Sequence, residues 1–204
     1  MTDTKEKILT TALHLFAKDG YEAVSVSLIA GALGMTKGAL YKHYKNKRDI
    51  FDHIVEKMYR IDAQRSRQYE VPEEKYETAP SAYENVSMEN IKEFTVAQFL
   101  FWTEDPFASD FRKMLTLEQY RNAEAAQLYS DCFAAGPVAY MEDIFREMMK
   151  NGVLKEADPK LLAVAFYAPF PLLIGMADRS GDKEAALSLL NRHIERFTNE
   201  NTVR

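Results

Sequence analysis

One cysteine in 204 residues, Cys132, leaves no partner for an internal disulfide and no cysteine-built metal site, so it is read as a buried thiol. The four histidines, His14, His43, His53 and His193, offer no ligand spacing among themselves, and no metal centre is expected. A Gly-rich phosphate loop is missing, and no Ser or Cys nucleophile stands with a recognisable base, so neither an enzyme nor a cofactor is predicted. Strand-like alternation of useful length is absent, as is any repeat of solenoid period. The longest uncharged run, Leu161 to Ala177, is 17 residues and contains Pro169 and Pro171. It falls short of the ~20 residues of a spanning helix, and a core helix is expected there instead of a membrane segment. The charged start, Met1 to Lys7, shows no secretion signal, which points to a reducing, cytoplasmic setting.

The most informative gap is one of sign. Between Glu22 and Asp49 there is no acidic residue, while Lys37, Lys42, Lys45, Lys47 and Arg48 crowd the stretch from Thr36 to Arg48. Residues 1–60 hold ten Lys and Arg against seven Asp and Glu, whereas residues 61–204 hold sixteen against twenty-four, in a chain of formal net charge -5. An acidic body is repelled by a polyanion, so contact with nucleic acid is confined to the N-terminal quarter.

The apolar pattern is helical throughout. Asp3 and Glu6 resemble a capping box, after which Ile8, Leu9, Ala12, Leu13, Phe16 and Ala17 recur at helical spacing until Gly20. Ser25 caps a second, short helix; Gly34 supplies a turn; Thr36 caps a third helix, with Leu40 and Tyr44 facing inward. Asn46 and Asp49 open a fourth, striped by Ile50, Phe51, Ile54, Val55 and Met58. From Tyr69 to Val86 the composition turns to Glu, Pro, Tyr and Lys, a linker candidate whose tyrosines suggest packing. Further helices are expected over Met88–Thr103 and Phe107–Glu118, and from Asn122 to Lys150, where Gly136-Pro137 makes either one bent helix or two. The last two run over about 158–177 and 183–197. The fold class is all-α: an N-terminal three-helix helix-turn-helix DNA-binding domain (1–46) and a helical effector-binding and dimerisation domain (47–204), connected by the helix from 47.

Two short helices about a glycine turn place the second with its N-terminal end at the base edges of a major groove. Thr36 offers a hydroxyl to phosphate, and Gly38 removes a side chain where backbone and DNA approach. Lys37 and Lys42 reach base edges or phosphates, and Tyr41 and His43 carry donors on flat bodies suited to phosphate. Lys47 opens a helix, where a cation gains nothing from the dipole and is better placed against an anion. Ser25, at the start of the second helix, completes the expected DNA-binding set.

Phe16-x3-Gly20-Tyr21, then Ser25-x3-Ile29-Ala30-x3-Gly34-Met35-Thr36-Lys37-Gly38-x-Leu40-Tyr41-x-His43-Tyr44-x2-Lys47-x2-Ile50, resembles the DNA-binding domain of the tetracycline-repressor (TetR) family over about residues 5–52. The departures are Tyr44 where phenylalanine is common, Leu33 where alanine is and Met35 where valine is. The resemblance implies a homodimeric, ligand-responsive transcriptional regulator, with Thr36, Lys37, Gly38, Tyr41, His43 and Lys47 at DNA-contacting positions.

In the body, the last two helices (about 158–199) are the pairing candidates. Ala186, Leu187, Leu190, Ile194 and Phe197 form a stripe, and Gly175 and Ala177 permit close approach; the competing reading is that the stripe closes the monomer's own core. The body is rich in large adaptable side chains, and Phe99, Trp102, Met114, Tyr129, Phe133, Phe166 and Phe170 are the candidates to line a cavity for a small apolar or amphipathic effector. A repressor released by such a molecule is the expected function. The rival from another class is a helical protein-binding adaptor without sequence-specific DNA binding.

Overall fold

A computed structural model describes residues 3–74 and 76–203; Met1, Thr2, Lys75 and Arg204 lie outside the description. The helices are α1 (Thr4–Asp19), α2 (Val26–Ala32), α3 (Lys37–Leu40), α4 (Lys47–Gln68), α5 (Met88–Glu104), α6 (Pro106–Glu118), α7 (Ala123–Phe133), α8 (Ala135–Lys150), α9 (Pro159–Tyr167), α10 (Pro169–Ser180) and α11 (Lys183–Asn201), with a 3-10 turn at Pro80–Tyr83. Among the described residues the sole β feature is an isolated bridge between Leu154 and Thr202, so the chain is all-α as expected. It forms two compact units, Met1–Asp62 with Glu104–Tyr129, and Ala63–Thr103 with Ser130–Arg204.

In the first unit each short helix is started by a side chain. Asp3 accepts from Lys5 N, Ser25 Oγ from Leu28 N at 3.1 Å, and Thr36 Oγ1 from Ala39 N at 3.1 Å. At α4 the cap is reciprocal: Asn46 Oδ1 accepts from Asp49 N at 2.8 Å, and Asp49 Oδ2 accepts from Lys45 N at 2.8 Å. Each such cap stabilises by about 1 kcal/mol, a large share for helices of one or two turns. Gly20 (φ +86°) ends α1 and Gly34 (φ +65°) makes the α2–α3 turn, both in a region that disfavours any side chain. Ile8, Leu13, Phe16, Ile29, Leu40, Ile50 and Ile54 are fully or almost fully buried, and α6 lies along α1, adding Phe111, Met114 and Leu115 to the same core.

In the second unit α8 packs on α9 and α10 on α11. Phe145 stacks on Phe197 at 5.4 Å, and Phe166 closes the group edge-on at 4.9 Å from Phe197. Two expectations are corrected here, and one left open is settled. The stretch Tyr69–Val86 is not a free linker: Val71, Tyr83 and Val86 are buried, Tyr140 Oη donates to Pro72 O at 2.9 Å, and Tyr76 Oη donates to the buried carboxylate of Glu147 at 2.6 Å. The hydrogen bond from Tyr76 holds Glu147 below the usual carboxylate range. The segment from Asn122 to Lys150 is two helices, broken at Ala134 (φ −133°, ψ −96°); just beyond it, a Cβ on Gly136 would lie 1.9 Å from Asp131 O, so the turn admits only glycine there.

The second correction concerns the apolar run. Helices α9 and α10 meet at Ala168, which keeps helical angles (φ −52°, ψ −37°), while Pro169 and Pro171 cannot donate to Ala165 O and Tyr167 O. His193 Nε2 lies 2.9 Å from Phe166 O, so a proton on that nitrogen serves the kinked turn. Taken together Pro159–Ser180 is long and apolar enough to cross a membrane, and only 33% of its most apolar window is buried. It is not a plain core helix: Leu161 (68% exposed), Val164, Leu172 (64%) and Met176 share one outward face. Conversely Ala186, Leu190, Ile194 and Phe197, expected to form a pairing stripe, are buried in the unit's own core. The wide stripe on α11 faces inward because α10 packs across it.

Burial pushes the phenols of Tyr44 and Tyr83 up to about 12 from an ordinary 10.0. A phenol raised in the folded state contributes stability that is complete below the unfolded value and is lost as pH rises through the folded one. Thermal stability should therefore fall between pH 10 and 12, with two late-ionising tyrosinates visible in absorbance titration. Replacing Tyr44 by Phe should remove one of them; an unchanged titration would show that Tyr44 is not held in the core.

Candidate nucleic-acid interface

The α2–α3 turn leaves one side of the first unit to solvent. Leu40 and Tyr44 point the other way and anchor it: Leu40 is fully buried, and Tyr44 Oη donates to Lys5 O at 3.1 Å. Exposed on the open side are Ser25, Thr36, Lys37, Gly38, Tyr41, Lys42 and His43, seven of the eight residues expected to meet DNA. The hydroxyls of Ser25 and Thr36 already accept a backbone N–H as caps, which leaves each an O–H to donate to a phosphate oxygen. The Lys37 amine lies 5.7 Å from the Tyr41 ring centroid.

Pairing divides the basic run. Among the described residues Lys37, Lys42 and Lys45 have no acidic side chain within ion-pair distance. Arg48, in contrast, forks onto Glu124 at 2.6 and 2.5 Å and reaches Asp52 at 2.6 Å. These hydrogen bonds raise the guanidinium pKa and hold Glu124 below the usual carboxylate range. Lys47, the eighth expected residue, is turned inward, its amine 2.8 Å from Tyr21 O. Nothing in the basic run itself signals this, because Glu118, Glu124 and Tyr21 lie far from it in order along the chain. The one local signal was Asp52, four residues after Arg48. A small cavity of about 20 Å³, enough for roughly one water, is lined by Tyr21, Arg48, Phe51, Glu118 and Glu124.

Gly38 is the informative glycine. A Cβ there would have only Thr36 Oγ1 near it, at 4.0 Å, and its φ is not positive. The protein itself has no use for the missing side chain, whose absence costs the helix about 1 kcal/mol relative to alanine. The space it leaves is outside.

Residues 8–54 match the family model described as bacterial regulatory proteins, tetR family. Residues 8–54 thus carry a tetR-type domain. The HTH-type transcriptional regulator AcrR of Shigella flexneri is 44% identical over 54 residues, 26% of this chain and 25% of AcrR, so the match spans about a quarter of that relative. The HTH-type transcriptional regulator YhgD of Bacillus subtilis (strain 168) is 26% identical over 94% of this chain and 95% of its own length. SmeT, the repressor of the Stenotrophomonas maltophilia multidrug efflux pump SmeDEF, superposes with a TM-score of 0.68 at 20% identity, over 99% of this chain and 92% of SmeT, and shares the fold. A SmeT–triclosan complex gives the same TM-score and identity over 98% and 92%. The tetR-type domain thus covers the α1–α4 region in which the exposed, unpaired cations lie, and these relatives are regulators, not enzymes.

The aromatic candidates of the body fall into separate groups. Trp102 meets Phe133 at 4.7 Å, and Phe99 meets Phe170 at 6.2 Å, with Tyr167 stacked on Phe170 at 5.6 Å and donating to Phe133 O. Phe166 belongs instead with Phe145 and Phe197. Met114 and Tyr129 fall in the first unit and the other five in the second.

Gly38→Ala should leave the melting temperature unchanged or slightly raised, by the ~0.5–1 kcal/mol of helix preference, and should weaken operator binding severalfold in an anisotropy titration. Unchanged operator affinity would place the DNA elsewhere.

Proposed function

We propose that this chain is a DNA-binding transcriptional regulator, a homodimeric repressor that leaves its operator when a small apolar or amphipathic molecule binds its helical body. The observation that carries the DNA half is the group of three cations, Lys37, Lys42 and Lys45, held unpaired around a glycine at the start of a capped helix. Thr36, Tyr41, His43 and Ser25 surround it with hydroxyl and imidazole donors for phosphate, while Lys37 and Lys42 are the base-edge candidates.

Support for pairing comes from the face of α9 and α10. Leu161, Val164, Leu172 and Met176, with Leu189 of α11, expose large apolar side chains, and a Cβ placed on Gly175 of the same face would meet nothing within 4 Å. A glycine without an internal reason, set in an exposed apolar face, suits close helix packing by a second copy. A twofold pair then presents two reading helices, which must stand about 34 Å apart to enter successive major grooves. The effector half rests on the Trp102–Phe133 and Phe99–Phe170–Tyr167 groups, and SmeT, of like fold, is known as a triclosan complex. An effector acts by binding one spacing of the reading helices better than the other; about 5.5 kcal/mol of preference suffices to invert a 99:1 population.

Anisotropy titrations against the DNA upstream of the protein's own gene should show affinity falling steeply with salt, by roughly 0.9 in logarithmic slope per neutralised phosphate, and preference over scrambled DNA. Affinity indifferent to both salt and sequence would sink the regulator reading. For pairing, the double variant Leu161→Glu, Leu172→Glu should sediment as a monomer with helicity retained and lose operator affinity; a variant that stays dimeric shows that another face pairs.

A further inference from the structure

We infer that Lys47 is a positioning residue for DNA binding: together with Glu118 it clamps the Tyr21 backbone, Lys47 at the carbonyl and Glu118 at the amide, and sets the α1–α2 corner against α4, in place of reaching a phosphate. This rests on the DNA-binding reading above. Lys47 Nζ donates to Tyr21 O at 2.8 Å, lies 4.2 Å from the centroid of the same residue's ring, and has Glu22 O at 3.5 Å and the Glu22 carboxylate at 3.9 Å. Its side chain is 22% exposed. From the opposite side, Tyr21 N–H donates to Glu118 Oε1 at 3.0 Å, and Glu118, on α6, is 3% exposed. The Tyr21 ring is wedged between Phe16 of α1 at 5.0 Å and Phe51 of α4 at 5.4 Å.

Every group in this arrangement has a use for the others. The Tyr21 carbonyl follows Gly20, whose φ of +86° ends α1, and it takes from its own turn only a long bond from Val24 N–H at 3.4 Å. The Lys47 ammonium adds a second, shorter donor at 2.8 Å and gains a ring face as well. The buried Glu118 carboxylate is costly unless hydrogen-bonded, and the Tyr21 amide, with Arg121 at 3.5 Å, meets that demand. Gly20 is itself tied to the clamp: a Cβ there would press on Glu118 and Arg121 at 3.0 Å. Among the described residues the amines of Lys37, Lys42 and Lys45 have no carbonyl or carboxylate partner, so turning Lys47 outward would give up two carbonyls, a ring face and the Glu22 carboxylate for a contact that three neighbours are free to make.

The test is operator binding across a salt series for the full chain and its variants, read beside the amide spectrum of Tyr21. Lys47→Met, which keeps the stem over the ring, should lower affinity about tenfold, the size of a hydrogen bond to a charged group, with the salt slope of the wild type. Lys37→Met should lower the slope by roughly 0.9, one phosphate's worth. Glu118→Gln should cost as much as Lys47→Met, the double variant should cost no more than either alone, and Lys47→Arg should restore affinity and the Tyr21 amide position. The clamp is overturned if Lys47→Met lowers the slope like Lys37→Met with the Tyr21 amide unmoved, or if the two losses simply add. Should the wild type show no salt-dependent operator binding, the DNA reading fails instead, and a Tyr21 amide shifted equally by Lys47→Met and Glu118→Gln still reports the clamp.

Discussion

With four residues in α3 and seven in α2, neither helix approaches the roughly 12–15 residues at which an isolated helix becomes even marginal in water. The exposed face proposed to meet DNA keeps its shape because its back is held in the core. Ile29 and Leu40 give up all their exposure to the core of the first unit, Tyr44 reaches across to Lys5 O, and side-chain caps at Ser25, Thr36 and Asn46 satisfy the amides that so short a helix cannot satisfy itself. Everything proposed for this surface, from phosphate contacts to groove entry, depends on that burial behind it.

Charge is partitioned on a scale finer than composition reveals. The basic run from Lys37 to Arg48 looks uniform as a string, yet Lys47 and Arg48 are consumed inside the unit, one by a carbonyl and a ring, the other by two carboxylates. What remains for an outside anion is the set around Gly38. Exposed ion pairs of the Arg48 kind contribute little stability singly, and here their consequence is geometric: Glu124 and Glu118 tie the start of α7 and the end of α6 to the corner that carries α2 and α3.

The second unit shows how proline and glycine redistribute an apolar run. Pro169 and Pro171 bend what would be one helix, and the bend brings Tyr167 Oη to Phe133 O beside the α7–α8 break, so two interruptions in the chain share one aromatic neighbourhood. The residue faces sort accordingly. Phe166 turns inward to Phe145 and Phe197, while Leu161, Leu172 and Met176 turn out.

The helix count in the first unit, its caps, its glycine turns and the inward Leu40 and Tyr44 were legible in the chain because capping and 3.6-residue periodicity act within a few residues and leave local marks. The all-α class followed from the same marks, and the tetR resemblance of residues 5–52 from the particular residues spaced between Phe16 and Ile50. The sequence could not say that the Ala186–Phe197 stripe is spent on its own core while Leu161 and Leu172 are left exposed, since periodicity names an apolar face but not what covers it. Nor could it say which lysine is free: Lys47 is held by Tyr21, 26 positions away, and Arg48 by Glu124, 76 positions away. Local propensity wrote the helices, and only their packing, which brings distant carbonyls and carboxylates within hydrogen-bond reach, decided which charges and which faces remain for a partner.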